Sequence, residues 1–214
     1  IERDLHLALK RDEFAVFYQP IIDLSTMSLI GMEGLIRWHH PQLGLVSPGE
    51  FIPVAEETDL IIPIGNRVLE MACEQFGTWL RTWEQPDVFI SINLSAKQFK
   101  EKDLVRTVCN ALDRAAVPAS HLKLEITESV IMSDVQASSA ILEHMKEMGI
   151  QLAIDDFGTG YSSLSYLQSL PINYIKIDRS FVWGMQKNKQ NTELIKAIVS
   201  MRSIKDEDEI KDIE

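Results

Sequence analysis

The chain has 214 residues, of which 45% are hydrophobic and 25% are charged, a composition typical of a globular protein rather than a disordered one. Its formal net charge of -11 argues against a surface that binds a nucleic-acid polymer by neutralising phosphates, although a small anionic substrate is compatible if a metal supplies positive charge. The two cysteines lack CxxC or zinc spacing, and no long apolar run predicts a membrane span. We therefore expect a reduced, cytoplasmic segment without membrane contact.

Hydrophobic periodicity predicts helices and strands along most of the chain. In chain order these are a helix over residues 2–12, strands over 14–20 and 29–38, a helix that begins after Ser47, a helix over 64–83, a strand over 88–94, a helix over 101–116, a strand over 122–127, a helix over 134–148, a strand over 151–155, a helix over 161–169, a strand over 173–178 and a helix over 191–203. From residue 29 onward this order is typical of a parallel sheet, in either a barrel or a doubly wound fold. No GxGxxG or P-loop sequence follows a strand, which weighs against Rossmann-type and Walker-type phosphate sites.

Several residues mark the ends of these predicted elements. Pro20 is expected to end the first strand, and Ser47 and Glu50 have the spacing of a capping box at a helix start. His39 and His40 fall in a predicted loop. Adjacent residues of an extended chain point in opposite directions, so these two histidines are not expected to share a metal ion.

The pair Asp155-Asp156 follows a short apolar strand and precedes a loop with glycines at 158 and 160. Two adjacent carboxylates repel each other unless water or a cation neutralises them. The pair therefore indicates a site for a hard divalent cation such as Mg²⁺, Mn²⁺ or Ca²⁺. An ordinary turn rich in aspartate is the alternative interpretation.

The period of two along each predicted strand places aliphatic side chains on one face and polar side chains on the other. In a (βα) barrel the aliphatic face meets the helices, and polar groups near the strand ends gather at one mouth. Repulsion among the carboxylates of such a group makes a metal-dependent site the expected one. The residues that would ring this opening are Glu33, Asn93, Glu125, Asp155, Asp156 and Lys176.

Two enzyme classes are compatible with this ring. The first is metal-assisted phosphodiester hydrolysis, in which Asp155 and Asp156 help to hold two ions about 3.5 to 4 Å apart and Lys176 orients water or stabilises developing charge. The second is proton abstraction next to a carboxylate, in which Lys176 is the base and the acidic residues hold Mg²⁺, as in enolase-type barrels. A purely structural ion pair of Lys176 is a third interpretation, and the residues alone leave these open.

Seven short motifs narrow the choice. They are Tyr18-Gln-Pro20, Glu33-Gly-Leu-Ile-Arg-Trp38, Ser47-Pro-Gly-Glu-Phe-Ile-Pro53, Ile92-Asn-Leu-Ser95, Leu124-Glu-Ile-Thr-Glu-Ser129, Asp155-Asp-Phe-Gly-Thr-Gly-Tyr-Ser-Ser-Leu164 and Ile175-Lys-Ile-Asp178. In this order, and over about residues 1–200, they resemble the EAL domain family. The resemblance implies a modified α/β TIM barrel whose first strand runs antiparallel to the others. It also implies hydrolysis of the bacterial second messenger cyclic di-GMP to linear pGpG with Mg²⁺ or Mn²⁺, two ions being expected.

The resemblance also implies roles for individual residues. Those that correspond to metal ligands are Glu33, Asn93, Glu125 and Asp155, with Asp156 as a ligand of the second metal. Lys176 corresponds to the catalytic lysine, and Glu128 to the glutamate that holds the Asp-Asp loop in its working conformation. The residues that correspond to substrate contacts are Gln19 and Arg37.

The chain departs from the family pattern in two places. Gly34 stands where the name-giving motif has alanine, which should cost some strand propensity. After Met201 the family pattern continues into two more strands that carry another metal-site glutamate, whereas this chain ends in an acidic run. We expect a linker helix over residues 1–13, an incomplete barrel over 14–201 and an acidic tail over 202–214. A barrel without its last two strands would expose sheet edges, so we expect either a partner segment that completes it or poor stability.

Three functional hypotheses follow. The first is a cyclic di-GMP phosphodiesterase in bacterial signalling. The second is a catalytically impaired member that acts as a cyclic di-GMP receptor or regulatory module, because the C-terminal glutamate is missing. The third is the enolase-like enzyme. The resemblance also implies an upstream GGDEF or sensory domain in the parent protein, and a homodimer is a candidate assembly.

Overall fold

The computed structural model describes residues 2–83, 87–158, 170–178 and 180–181. The strands of this part are β1 (Phe14–Ile22), β2 (Leu29–His40), β3 (Gly44–Val46), β4 (Phe89–Leu94), β5 (Leu122–Thr127), β6 (Gln151–Phe157) and β7 (Tyr174–Ile177). The helices are α1 (Glu2–Lys10), α2 (Pro48–Glu57), α3 (Ile61–Thr82), α4 (Ala96–Phe99), α5 (Leu104–Ala115), α6 (Glu128–Ser133) and α7 (Val135–Glu147), with a 3-10 turn at Ala119–His121. The predicted helices over 161–169 and 191–203 and the predicted acidic tail lie outside the described residues.

The strands form one sheet in the order β1-β2-β4-β5-β6-β7, with β3 paired to β2. The first strand, β1, runs antiparallel to β2, and each later strand on this path runs parallel to its neighbour. This confirms the predicted α/β fold of the TIM-barrel type with an antiparallel first strand. Within the described residues the sheet is open rather than closed into a barrel. No helix of the described ranges has both the length and the hydropathy needed to cross a membrane.

The two faces of the central strands differ as their alternation predicts. Ile90 and Ile92 of β4 and Leu122 and Leu124 of β5 are at most 1% exposed and belong to the main hydrophobic core, together with residues of α3, α5 and α7. The opposite face carries the polar side chains. The aliphatic face therefore fixes the strands against the helices, which leaves the polar face to form the site.

A second hydrophobic cluster joins the first helix to the β1-β2 ladder. Leu5 and Ala8 of α1 are fully buried against this cluster, which includes Trp38 and Phe51. The indole Nε1 of Trp38 donates a hydrogen bond to Glu13 Oε2 at 3.1 Å. The predicted linker helix thus packs on the strand that carries Glu33.

Two predictions about strand ends were wrong. β1 does not end at Pro20 but continues to Ile22, with Pro20 opposite Met32. Among the described strands, β1 pairs only with β2. Proline is tolerated on such an edge strand because its missing N–H need not serve a second neighbour. β2 extends through His39 and His40, which were predicted to lie in a loop.

The extension of β2 forms an additional hairpin. The chain turns back through Gly44, whose φ of +72° suits glycine, and pairs with β2 again as β3. The ring of His40 is buried, and its Nδ1 accepts hydrogen bonds from the backbone N–H groups of Gln42 and Leu43. His40 is therefore a structural residue of the hairpin.

The predicted helix start at Ser47 is confirmed, but its hydrogen bonding differs from the prediction. Ser47 is the N-cap residue of α2 in an extended conformation, yet its side chain makes no capping hydrogen bond. A complete capping box occurs instead at α4, between Ser95 and Gln98. The two short helices α4 and α6 were not predicted, because one or two turns carry too little periodicity.

Candidate active site at the carboxyl ends of the strands

The ammonium group of Lys176 on β7 lies among three carboxylates. Its Nζ contacts Glu125 Oε2 of β5, and it lies 3.4 Å from Glu33 Oε2 of β2 and 3.5 Å from Asp155 Oδ1 of β6. Four strands that are distant in sequence therefore bring charged side chains to one place, as the strand alternation predicts.

Glu125 is the most deeply buried of these carboxylates, with 2% of the residue exposed. Its Oε1 accepts a hydrogen bond from the hydroxyl of Ser91 on β4, and its Oε2 accepts one from Lys176. Burial raises the pKa of Glu125, and the charge of Lys176 and the two hydrogen bonds oppose that rise. Ser91 was not among the predicted site residues, although strand alternation places it on the polar face.

The charge state of Lys176 follows from the same contacts. Burial alone would lower the pKa of Lys176, but the carboxylates of Glu125, Asp155 and Glu33 raise it above the usual value for lysine. Lys176 therefore stays protonated at neutral pH. Next to it, the side-chain amide of Asn93 donates a hydrogen bond to Glu33 Oε1 at 2.8 Å, which links a fifth predicted site residue to the group.

Asp156 lies beside this group in an unusual backbone conformation. Its φ is +52°, and it falls within the register shift between Ile154 and Phe157, where β6 pairs with β7. Burial raises the pKa of Asp156, with further contributions from Asp155 and Asp178, while Lys176 opposes the rise. A positive φ at a non-glycine residue is sparsely populated, and such strained residues are concentrated at functional sites.

Glu128 links the first turn of α6 to the segment that follows the aspartates. It is 2% exposed, and its Oε2 accepts a hydrogen bond from the backbone N–H of Gly158 at 2.8 Å. Gly158 itself has a φ of +100°. The other carboxylate oxygen, Oε1, is buried and has no hydrogen-bond partner among the described residues. Glu128 is thus placed to hold the turn directly after Asp155-Asp156.

Gln19 and Arg37 lie on the same face of the β1-β2 ladder as Glu33. Gln19 is opposite Glu33 and is exposed, and Arg37 is four residues beyond Glu33 on β2. The guanidinium of Arg37 donates a hydrogen bond to the carbonyl of Ile36 and lies 5.4 Å from the centroid of the Phe17 ring. Both residues therefore lie on the face that carries Glu33, but neither side chain hydrogen-bonds to the carboxylates.

The chemistry of these side chains fits a hard divalent cation. Within the described residues, no three Asp, Glu, His or Cys side chains are already grouped around a metal position. The carboxylates converge on the Lys176 ammonium instead. Their oxygens, together with the amide oxygen of Asn93, are the ligand type that Mg²⁺ and Mn²⁺ prefer, and their excess negative charge favours an added cation.

Comparisons of the sequence with a family profile and with known proteins agree on one family. The profile of the EAL domain matches residues 2–205. The chain is 46% identical over 198 residues to the bifunctional diguanylate cyclase/cyclic di-GMP phosphodiesterase MucR of Pseudomonas aeruginosa, covering 92% of this chain and 29% of MucR. It is 36% identical over 201 residues to the cyclic di-GMP phosphodiesterase NbdA of the same organism, covering 94% of this chain and 26% of NbdA. The chain thus spans between a quarter and a third of each of these two relatives.

A solved structure also resembles this one. The phosphodiesterase PaMucR in complex with cyclic di-GMP superimposes with a TM-score of 0.88 at 46% sequence identity. The match covers 92% of this chain and 80% of that chain. Sequence and fold therefore point to the same protein family.

Proposed function

The chain belongs to the EAL domain family, and from this premise we propose that it hydrolyses cyclic di-GMP to linear pGpG with Mg²⁺ or Mn²⁺, using two ions. The observation that carries the proposal is the convergence of Glu33, Glu125 and Asp155 on Lys176. The relatives MucR and NbdA are named cyclic di-GMP phosphodiesterases, which supports cyclic di-GMP as the substrate.

The residues that would hold the cations supply only oxygen ligands. They are Glu33, Asn93, Glu125, Asp155 and Asp156. Bound Mg²⁺ or Mn²⁺ supplies Lewis-acid activation of the phosphodiester and of the attacking water. The burial of Glu125 and its hydrogen bond from Ser91 keep one ligand fixed before any cation arrives.

Lys176 would act as a fixed positive charge rather than as a base. The three carboxylates that raise its pKa keep it protonated, so it can donate hydrogen bonds to a phosphoryl oxygen or to the attacking water. A general base needs the opposite shift, towards a pKa near the working pH. The similarity to the phosphodiesterases MucR and NbdA favours phosphodiester hydrolysis over the enolase-like alternative.

The remaining predicted site residues would position the loop and the substrate. Glu128 would hold the turn after Asp155-Asp156 through Gly158. Arg37 and Gln19 would contact the substrate from the β1-β2 ladder, Arg37 because its guanidinium suits a phosphate. The wider proposal includes a cytoplasmic signalling role, an upstream GGDEF or sensory domain and a homodimer.

A cyclic di-GMP receptor or regulatory module is the second candidate. The contacts of Lys176 with Glu33, Glu125 and Asp155 favour it, because these ion pairs offset one of the three negative charges without a metal. A ligand could then bind at the same face without turnover.

The test uses purified protein and cyclic di-GMP, with product formation followed by chromatography. We expect linear pGpG in the presence of Mn²⁺ or Mg²⁺, no product after chelation by EDTA, and loss of activity in E33Q. The matched control E57Q, on the exposed side of α2, should keep wild-type activity. Calorimetric binding without turnover would identify a receptor, and neither binding nor turnover would reject both candidates.

A further inference from the structure

A buried lysine that has no role in the proposed reaction lies one layer below the site. Lys123 on β5 is 6% exposed, and its Nζ lies 3.5 Å from the ring centroid of Phe89 on β4 and 3.5 Å from that of Tyr174 on β7. An ammonium between two aromatic faces makes a favourable cation–π contact with each ring. The Phe89 ring is buried, whereas Tyr174 is 37% exposed, so the contact with Phe89 is the better shielded from water.

This lower group repeats the arrangement of the group above it. Each of its three residues is followed, two positions later on the same strand, by a member of the upper group. In the lower group Lys123 joins Phe89 and Tyr174, and in the upper group Glu125 joins Ser91 and Lys176. Side chains two residues apart share a face of a strand. The two groups therefore lie on the same face of the sheet, one after the other along the strands.

The last described strand, β7, has a short and interrupted backbone ladder with β6. β7 has four residues and pairs with β6 at only three positions, with a register shift between Ile154 and Phe157. β5, in contrast, pairs without interruption with both of its neighbours. Among the described residues, few backbone pairs therefore define the register of β7 against β6.

Small residues make room for the lower group. A Cβ atom on Gly31 would lie 2.5 Å from the ring of Phe89, so only glycine leaves space for this ring. Ala153 of β6 is opposite Tyr174 and lies between β5 and β7 in the sheet. Its short side chain lets the tyrosine ring reach Lys123 across the intervening strand.

We propose that Lys123, held between Phe89 and Tyr174, is a positioning residue that fixes β7 against β5 and thereby places Lys176 on Glu125. This inference rests on the proposed phosphodiesterase function for its catalytic readout. Neither the metal-ligand set nor the substrate contacts include Lys123, although its charge interacts with those of Glu125 and Lys176. Y174L leaves this charge in place, so this variant tests the placement of Lys176 alone.

The test compares K123M, which keeps the length of the side chain but removes the charge, with Y174L, which removes the ring. In both variants we expect kcat for cyclic di-GMP to fall by about 10- to 100-fold, as misplacement of a reacting group does, with KM changed by less than about twofold. The double variant should be no slower than the slower single one, because both remove the same contact. K123R keeps the positive charge and Y174F keeps the aromatic ring, so each of these variants should have most of the wild-type kcat.

A second readout does not depend on activity. Hydrogen exchange of the β7 amides, residues 174–177, should be faster in K123M and Y174L than in the wild type. The matched control K97M removes a surface lysine that pairs with Asp59, and it should change neither readout.

The outcomes separate this inference from the function on which it rests. A wild-type protein that does not cleave cyclic di-GMP would reject the proposed function, while faster exchange in β7 would still support the placement role. An active wild type with unchanged kcat and unchanged β7 exchange in K123M would overturn the inference. It would also be overturned if K123M only lowered the melting temperature and left kcat per folded molecule unchanged.

Discussion

Lys176 and Glu125 form an ion pair across the polar face of the sheet, although their strands are separated by β6. The carboxylate is buried and the lysine is about one-third exposed, so one partner is fixed and the other faces the opening. This pair is the centre around which Glu33 and Asp155 gather. It links the fold, which brings the strands together, to the proposed chemistry, which needs a positive charge at this position.

The first prediction concerns the charge of this lysine. K176M should lower kcat for cyclic di-GMP by about 10²–10³-fold, the usual effect of removing one electrostatic donor from a transition state. The loss should persist at saturating Mn²⁺, because the metal does not replace the ammonium. Steady-state kinetics measure it, and a K176M enzyme within twofold of the wild type would contradict the proposed role.

The second prediction concerns the turn after the two aspartates. E128A removes the acceptor of the hydrogen bond from the Gly158 N–H. The variant should therefore have a lower kcat for cyclic di-GMP, with unchanged substrate specificity. E128Q keeps one carbonyl oxygen for this N–H and should retain more activity than E128A. Equal activity of the two variants would indicate that the hydrogen bond does not matter. E147Q, at the exposed end of α7, is the control.

The third prediction explains the glycine at position 34. A Cβ atom there would lie 2.7 Å from Ile92 Cδ1 and 3.2 Å from Val16 Cγ1. G34A should therefore lower the free energy of unfolding by about 1 kcal/mol through overpacking. I92V removes the clashing methyl group, so G34A should be neutral or stabilising in that background. Urea denaturation of the wild type, G34A, I92V and the double variant measures this coupling. Additive changes in the free energy of unfolding would contradict the packing explanation.

The fourth prediction tests the core through thiol chemistry. Burial raises the pKa of Cys73 on α3 to about 12, whereas Cys109 is only partly buried. The thiolate is the reactive form, so Cys73 should stay unreactive towards an aromatic disulfide reagent at pH 8 in the native protein. Unfolding in urea should expose both thiols. Rapid reaction of Cys73 in the native state would contradict its burial.

Strand alternation predicted the carboxylate-bearing face because that signal is local. Glu125 and Asp155 each alternate with buried aliphatic residues, and this pattern can be read within six or seven residues. The relative position of strands is not local. Lys176 lies between the carboxylates rather than beside them. This position depends on packing between segments about 50 residues apart in sequence.

Other features escaped prediction for similar reasons. The left-handed conformation of Asp156 arises where β6 changes register against β7. No residue type at this position predicts it. The two aromatic contacts of Lys123 join three strands, and a lysine alternating with leucines reads as an ordinary polar position. The hairpin from β2 to β3 was missed because β3 has only three residues.

The central claim is that Glu33, Glu125 and Asp155 bind divalent cations together and that hydrolysis depends on them. The most direct test is the initial rate of pGpG formation as a function of Mn²⁺ concentration, for the wild type and for D155N. The wild type should show saturable activation, and D155N, which keeps the size of the side chain but loses its charge, should show almost no turnover at any Mn²⁺ concentration. A D155N protein that keeps most of the wild-type rate would contradict the assignment.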